Sequence, residues 1–594
     1  MDGISFEPLK YYTSVLKEKH KAGVEEHFNK LLAASRVNEA ENRATVKKYD
    51  DEMLQVKKIA GKIKAYKVFF WILIVLGIIG SLVFIFGLNT IGQETSAGAV
   101  MVIAGLALAL LGFLLAFLLI RRKIKSAETK KAKHQAMADK YYAEAMAQMS
   151  PLNALFDNLD TLRLIEKTMP EVKFDPSYCN DAERLLIEDY DYIDMTDEET
   201  SVIDTLSGKL FENPFLFERY VYHSMGTHRY FGSLVIRWTE RYRDSKGNIT
   251  TRTRVQTLHA SVTKPKPNYR ISTHLGYGSL AAPDLTFSRK ESDTDELSEK
   301  ALEKRIKKGE KKLAKKAEKA IADGGTFQEM ANSEFDVLFG AHNRNHEVQF
   351  RLMYTPLAQN NTVDLLRSKE GYGDDFNIIK QGKFNIVKSN HAQKWDMDIS
   401  ASKYISHSVD ISRERFISFN CEYFKSVYFD FAPLMAVPAY RDEPVASMKT
   451  PKAYRSYYTP YEHEALANAI GDKVFAHPEA RTQSILKTQI IDRNGGIDRV
   501  AVTAYGYRTE ARLDFVPTLG GDGRIHPVPV HWTEYIPVSR TSEMLLKSLG
   551  HSERELRQRG SLPYGSAYLH GILAYSPAVR EAWERIEETF RKYT

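Results

Sequence analysis

Two apolar runs, Val68–Leu88 and Ala97–Ile120, separated by the polar stretch Asn89–Ser96, constrain this chain more than any other feature. Neither run contains a charged residue. A hydrocarbon core about 30 Å thick is crossed by about 20 apolar residues as a helix, which satisfies its own backbone hydrogen bonds. The pattern therefore predicts a two-pass hairpin in the cell membrane. Short segments rich in Lys and Arg stay on the cytoplasmic side. Lys57, Lys58, Lys62, Lys64 and Lys67 precede the first run, and Arg121, Arg122, Lys123, Lys125, Lys130, Lys131 and Lys133 follow the second. The loop between them carries Glu94 and no basic residue, so both termini are expected in the cytoplasm. The first residues lack the basic-then-apolar pattern of a cleaved signal, and the first apolar run starts too late to be one.

The flanks of the hairpin read as helical stalks. Residues 5–66 are expected to be helical, with Val46, Tyr49, Met53, Val56, Ala60 and Ile63 spaced as a coiled-coil seam. After the second run, Ile124, Ala127, Ala132, Ala136, Met137, Tyr141, Ala145 and Met149 give a second stripe. A short loop delivers antiparallel helices side by side, so the two stalks are expected to pack on each other. Within the second run Gly98, Gly105 and Gly112 recur every seven residues, with Ala109 and Ala116 close to the same face. Small residues let helices approach closely. The stripe serves either packing between the two spans or self-association into a homo-oligomer.

Most of the 594 residues lie beyond the hairpin, enough for further domains. Cys179 and Cys421, far apart, form neither a disulfide framework nor a zinc motif, which suits a reducing compartment. A net charge of +7 is modest for this length and comes partly from the membrane flanks. The expected fold class is a membrane α-helical hairpin with a helical stalk, plus α+β cytoplasmic domains that are β-rich and mostly antiparallel. The expected divisions are a stalk at 1–67, the hairpin at 68–120, and a second stalk helix and connector at 121–206. A β-rich domain follows at 207–447, then a linker at 448–460 and a second β-rich module with terminal helices at 461–594.

Helices are expected over 151–168 and 180–206, before strands begin near Ser207. The clearest hairpin is 231–263, turning at Asp244-Ser-Lys-Gly-Asn248, a composition suited to positive backbone dihedrals. If Arg243 pairs with Asn248, one face collects Leu234, Ile236, Trp238, Tyr242, Ile249 and Val255. The other collects Arg237, Arg241, Arg243, Arg252 and Arg254. Guanidiniums so close repel one another, so they favour water or an anionic partner. The chemical candidates are anionic membrane lipid, then a protein partner, with nucleic acid weaker; the bland alternative is an ordinary solvated face.

Residues 296–322 hold ten Lys or Arg and five Glu around the stripe Leu302, Ile306, Leu313, Ala317 and Ile321, which predicts an inserted surface helix. It ends at Asp323-Gly-Gly325. Asn332-Ser-Glu-Phe-Asp-Val-Leu-Phe-Gly340 follows, then the expected strand and turn Val348–Pro356. Two N-terminal spans, then Gly208-Lys-Leu with Asn213-Pro-Phe215, then Phe335-Asp-Val and Phe350-Arg-Leu-Met-Tyr-Thr-Pro356, resemble an uncharacterised bacterial two-span membrane protein family sometimes found beside LemA-type proteins. The resemblance covers about residues 200–390 and the hairpin, and it implies no activity or site residues. The basic helix and the C-terminal region depart from it.

Other chemistry-bearing residues are weaker signals. His342 and His346 have the spacing of zinc ligands on a helix, yet Gly340 and two Asn favour a turn and no third ligand is near. Asp396 and Asp398 alternate with Trp395 and Met397 as an ordinary strand would. The aromatic stretch 404–440 reads as core. Beyond the linker, a helix is expected at 461–474 and strands at 483–540, turning at 492–496 and 519–523, with His526–His531 as a proline-bearing edge. The turn glycines lack the lysine of a phosphate loop. Helices are expected at Ser542–Arg559 and Ser576–Lys592.

No catalytic residue, cofactor or metal site emerges. The expected function is a membrane-anchored, cytoplasm-facing scaffold or binding protein that presents the basic hairpin and helix to lipid or a protein partner. A channel or transport accessory built from oligomerised hairpins is the alternative, opposed by the lack of charge within the spans. An enzyme with an unrecognised cytoplasmic site comes third.

Overall fold

The computed structural model describes residues 6–90, 95–175, 177–178, 180–192, 194, 196–243, 249–394, 397–441, 458–494, 497–548, 565–570 and 572–577. The expected turn 244–248, Trp395, Asp396, residues 442–457 of the linker region and the helices expected beyond 548 and 577 lie outside these residues. The chain combines helix with antiparallel sheet, and it divides into two compact units. One is helical, Val24–Phe156 with Ala401–Phe419; the other is β-rich and comprises Met1–Gly23, Asp157–Ser400 and Asn420–Thr594.

In the helical unit, α1 (Lys17–Ser35) ends where Arg36 takes a left-handed φ of 56°. Asn38 then accepts from the Glu41 amide at 3.2 Å, starting α2 (Glu39–Thr90), so the single expected run 5–66 is broken in two. Partway along α2 the sequence changes from charged to apolar without a break in the helix. The return path is α3 (Thr95–Leu114), a wider turn at Leu115–Ile120 and α4 (Arg121–Asn153). Both long helical paths are apolar enough, over enough length, to cross a membrane.

The glycine stripe faces inward within this hairpin. A Cβ on Gly105 would run into the backbone of Phe84, and one on Gly112 would meet the Gly77 backbone at 2.8 Å. Ala109 lies against Gly80, Ala116 is buried beside Leu73 and Ile120, and Gly98 is buried. Beyond the apolar runs the two helices remain in contact, with Val56, Ile63, Ala138, Ala145 and Met149 buried and Glu52 bonded to His134 Nδ1 at 2.6 Å. Ala132 and Ala136, expected in the stripe, are exposed, because the helix turns Ala138 inward instead. Residues 401–419 complete the unit. Tyr404 and Phe416 pack with Phe156 at ring separations of 4.9 and 5.6 Å, and Arg43 grips Asp410 with two nitrogens at 2.8 and 2.9 Å.

The β-rich unit holds two antiparallel sheets. The first contains β1 (Val172–Phe174), β2 (Thr200–Leu210), β3 (Asn213–Arg243), β4 (Ile249–Gly278), β5 (Thr286–Arg289), β6 (Phe376–Gln381) and β7 (Phe384–Ser389), in the order β1-β2-β3-β4-β7-β6-β5. The second contains β8 (Ile485–Asn494), β9 (Ile497–Leu519), β10 (Ile525–Ser548), β11 (Ser566–Leu569) and β12 (Ile572–Tyr575), in the order β11-β12-β10-β9-β8. The helix α5 (Pro460–Ile470) lies between the sheets. Its Glu464 accepts from the Val202 amide of the first at 2.9 Å, while Leu466, Ala467 and Ile470 join Leu486, Val500 and Val502 of the second in one core. Both sheets thus fall within one compact unit.

Three expected elements change type. The helix expected over 180–206 stops at Tyr190, and Thr200–Leu210, rich in Thr, Val and Ile, is strand instead. Val348–Pro356 is not a strand. It belongs to a short helix, Glu347–Met353, capped by His346, before Thr355 caps the next helix, Pro356–Arg367. The expected helix from Ser542 continues β10 as far as Ser548, where Leu545–Ser548 pair with β12. The insertion at 299–322 is helical as composition suggests, with Leu302 and Leu313 buried and Ile321 exposed.

Candidate interaction arm

The feature that stands out from the cores is an arm made of two long ribbons. β3 and β4 remain paired from Phe215–Tyr277 to Arg243–Ile249, well past the last residues supported by β2 and β7. β9 and β10 likewise run as a two-stranded ribbon beyond β8. A lone two-stranded ribbon is marginal in water, so each needs a partner. The ribbons supply it for each other. Ile236 and Leu258 bury against Val528, Lys264 bonds Asp514 at 2.7 Å, and the Lys264 ammonium sits 4.2 Å from the centre of the Trp532 ring. Gly232 permits the closest approach, since a Cβ there would collide with the Pro529 carbonyl.

The shorter ribbon turns beside Ile236 and Trp238, where the Gly521 amide donates to Gln256 Oε1 at 2.7 Å. Beyond that point β3 and β4 project alone for about 20 Å at ordinary strand rise. Residues 239–243 are exposed on both faces, and so are 251–255.

All five arginines singled out from sequence lie at this end, but not on one face. The pairing is Arg243 with Ile249, one residue away from the expected Arg243–Asn248 register. A slip of one flips every side chain of a strand to the other face. Arg237, Arg241 and Arg243 therefore share a face with Ile249 and Val255, while Arg252 and Arg254 share the opposite face with Trp238, Glu240 and Tyr242. The slip relieves the crowding that a single five-arginine face would impose. It also brings Arg254 Nε to Glu240 at 2.9 Å. Glu240 is the one carboxylate among the described residues of the tip, so the end stays strongly cationic on both sides. Tyr242, Ile249 and Val255 are large apolar side chains exposed among these charges.

The weaker sequence signals resolve into structure. His342 and His346 do not share a helix face: His342 Nε2 meets the Asp336 carbonyl at 3.0 Å, and His346 Nδ1 accepts from the Gln349 amide at 3.3 Å. Between them Arg344 is buried against Asp336 and Glu347 at 2.7 and 2.8 Å. Asp398 accepts from the Ser400 amide at 2.7 Å as a turn residue. No group of three or more metal-ligating side chains occurs among the described residues. The motif residues Phe335, Phe350 and Tyr354 stack in one aromatic core, and Asn213 donates to the Tyr440 carbonyl at 2.9 Å.

A histidine that sequence reasoning did not reach, His391, lies in an acidic cleft of about 450 Å³ with Asp295, Glu296, Tyr372 and Asp375. Its ring stacks on Tyr372 at 3.9 Å, Nδ1 meets Asp375 at 2.7 Å and Nε2 meets the Ser426 carbonyl at 3.1 Å. Burial lowers its affinity for a proton, but Asp430 and Asp375 together outweigh burial and leave its pKa raised. Both ring nitrogens are thus engaged within the fold.

No family model, curated protein or solved structure matches the chain.

Proposed function

We propose that this chain is a two-pass membrane protein, with both ends on the cytoplasmic side, that uses the cationic tip of its β arm to engage anionic lipid headgroups. The observation that carries the reading is the tip itself: among its described residues, five guanidiniums and one carboxylate on a projecting ribbon, with Tyr242, Ile249 and Val255 exposed between them. Arginine beside exposed aromatic and aliphatic side chains is the chemistry of a surface that sits in the headgroup region. Each cation near an anionic leaflet gains about 1 kcal/mol, so several together suffice for reversible attachment. Oligomerisation and a pore are less well supported, because the small-residue stripe is occupied by the partner span of the same hairpin.

The test uses the full chain in nanodiscs of zwitterionic lipid, mixed with liposomes with and without phosphatidylserine. The wild type is expected to co-float with the anionic liposomes alone, and to be released as salt is raised. Replacing Arg237, Arg241, Arg243, Arg252 and Arg254 together with Glu is expected to abolish co-flotation while leaving the thermal transition in place. Equal co-flotation of the two proteins would defeat the lipid reading, and a soluble protein captured only by the wild type would replace lipid with a protein partner.

A further inference from the structure

The basic insertion, Glu299–Ala322, and the short helix Ser333–Phe339 both line an open groove of about 580 Å³. The two helices approach closely at Gly309, where a Cβ would run into the Val337 side chain. One wall carries Lys304, Lys308 and Lys312, all exposed, and the aliphatic side chains of Leu297, Ala301, Leu313 and Val337 line the rest.

The lysine row is the informative feature. Side chains three and four positions apart on a helix are neighbours, and like charges there repel by about 0.2–0.5 kcal/mol a pair. Lys308 has Lys304, Arg305, Lys311 and Lys312 at all four of these positions, and neither Lys304 nor Lys312 has an acidic residue at any of them. Among the described residues, none of the three lysines has a carboxylate within ion-pairing distance. Two glutamates of the same helix are committed elsewhere: Glu299 holds Arg367 at 2.9 Å, and Glu310 accepts from Ser333 Oγ at 2.6 Å. The other cations of the groove are engaged within the fold. Arg305 bonds Asp293, and Lys316 donates to the His342 carbonyl with its ammonium 4.4 Å from the centre of the Phe327 ring. A row that repels itself is stabilised by an outside anion that meets several of its members at once.

Spacing selects the kind of anion. Four residues of helix rise about 6 Å, and alternate residues of an extended chain lie about 6.6 Å apart on one side. An extended segment with acidic residues at alternate positions therefore meets Lys304, Lys308 and Lys312 in step. Ion pairs formed beside the aliphatic lining are screened less than pairs in open water. Single-stranded nucleic acid also presents a row of anions, but its binders add aromatic platforms for the bases. The imidazole of His342 is the one ring in this lining among the described residues.

We propose that this groove docks an extended acidic segment of a partner protein, with carboxylates at alternate positions paired to Lys304, Lys308 and Lys312. The surface is separate from the arm tip, and neither reading needs the other. Fluorescence anisotropy of a short labelled peptide of alternating Glu and Ala, titrated with the full chain in zwitterionic nanodiscs, tests it. The same peptide with Gln for Glu and a short oligouridylate are the comparisons. The Glu peptide is expected to bind saturably with one site per chain, and the Gln peptide not to bind. Lys304→Gln, Lys308→Gln and Lys312→Gln together are expected to weaken binding by about tenfold or more without lowering the thermal transition, since all three side chains are exposed. The variant with Glu at the five arginines of the arm tip is expected to bind the peptide as the wild type does, so that loss of lipid binding and loss of peptide binding are read separately. Absence of saturable binding, equal binding of the Gln peptide, unchanged affinity in the lysine variant or loss of binding in the arm variant alone would overturn the proposal. Oligouridylate that binds more tightly than the peptide and displaces it would overturn it in favour of single-stranded nucleic acid.

Discussion

At the scale of single residues, the histidines show where chemistry is perturbed. His20 is buried between Thr168 Oγ1 at 2.8 Å and the Asn420 carbonyl at 3.2 Å, and burial pulls its pKa from 6.5 down to about 4. His463, on α5, falls to about 4 as well, through burial and then the nearby Arg493 charge. A depressed imidazole favours the neutral form in the fold, so its contribution to stability is full above 6.5 and is lost as pH falls towards 4. The loss is about 2 kcal/mol for each group by pH 5. Thermal unfolding followed by Trp and Tyr fluorescence is therefore expected to shift down between pH 7 and pH 5, and His20→Gln to remove about half of that shift. An unfolding temperature independent of pH over this range would refute the assignment. None of this was legible locally. His20 meets partners 148 and 400 positions away, whereas the spacing of His342 and His346 drew attention to two residues that cap and bridge turns.

At the scale of elements, the helices of the apolar runs were readable from their unbroken length, and the helices of their charged flanks and of the basic insertion from a helical period held over many residues. The strands of the 231–263 hairpin were readable too, but their register was not, and the strand nature of Thr200–Leu210 was missed. The sequence between Arg243 and Ile249 suits more than one pairing, and the choice was made by what lies across the layer: Ile236 and Leu258 must share a face to reach Val528, and that fixes Arg243 opposite Ile249. A contact between ribbons far apart in sequence thus decided the face of every arginine. The same contact yields a prediction. Gly232→Val places a side chain against the Pro529 carbonyl, and overpacking of this kind costs about 1–3 kcal/mol. Hydrogen exchange is expected to speed up across 226–243 and 509–532, while the base strands β6 and β7 keep their protection. Unchanged exchange along the arm would mean that the ribbons are not held together there.

At the scale of the whole molecule, the helical hairpin and the basic tip both depend on which side of a membrane the soluble sequence occupies. The argument from charge is asymmetric: five lysines lead into the first span, seven basic residues follow the second within Arg121–Lys133, and the loop between them has none. Translocating either flank would carry those cations across, while translocating the loop costs little. The packing of α2 against α4 agrees with flanks that emerge together, because Val56 and Ile63 are buried in the same helical unit as Ala138 and Ala145. Separating the flanks to opposite sides would expose those residues, so the packing supports the part of the proposal that puts both flanks on one side, and the charge pattern alone supports that side being the cytoplasm. With Cys179 and Cys421 replaced by Ser, a single cysteine at Ser96 is expected to react with a membrane-impermeant maleimide added outside intact cells. Single cysteines at Lys62 and Lys130 are expected to react only after the cells are opened. Labelling of Lys62→Cys or Lys130→Cys from outside would reverse the orientation, and with it the proposal that the arm works on the cytoplasmic face.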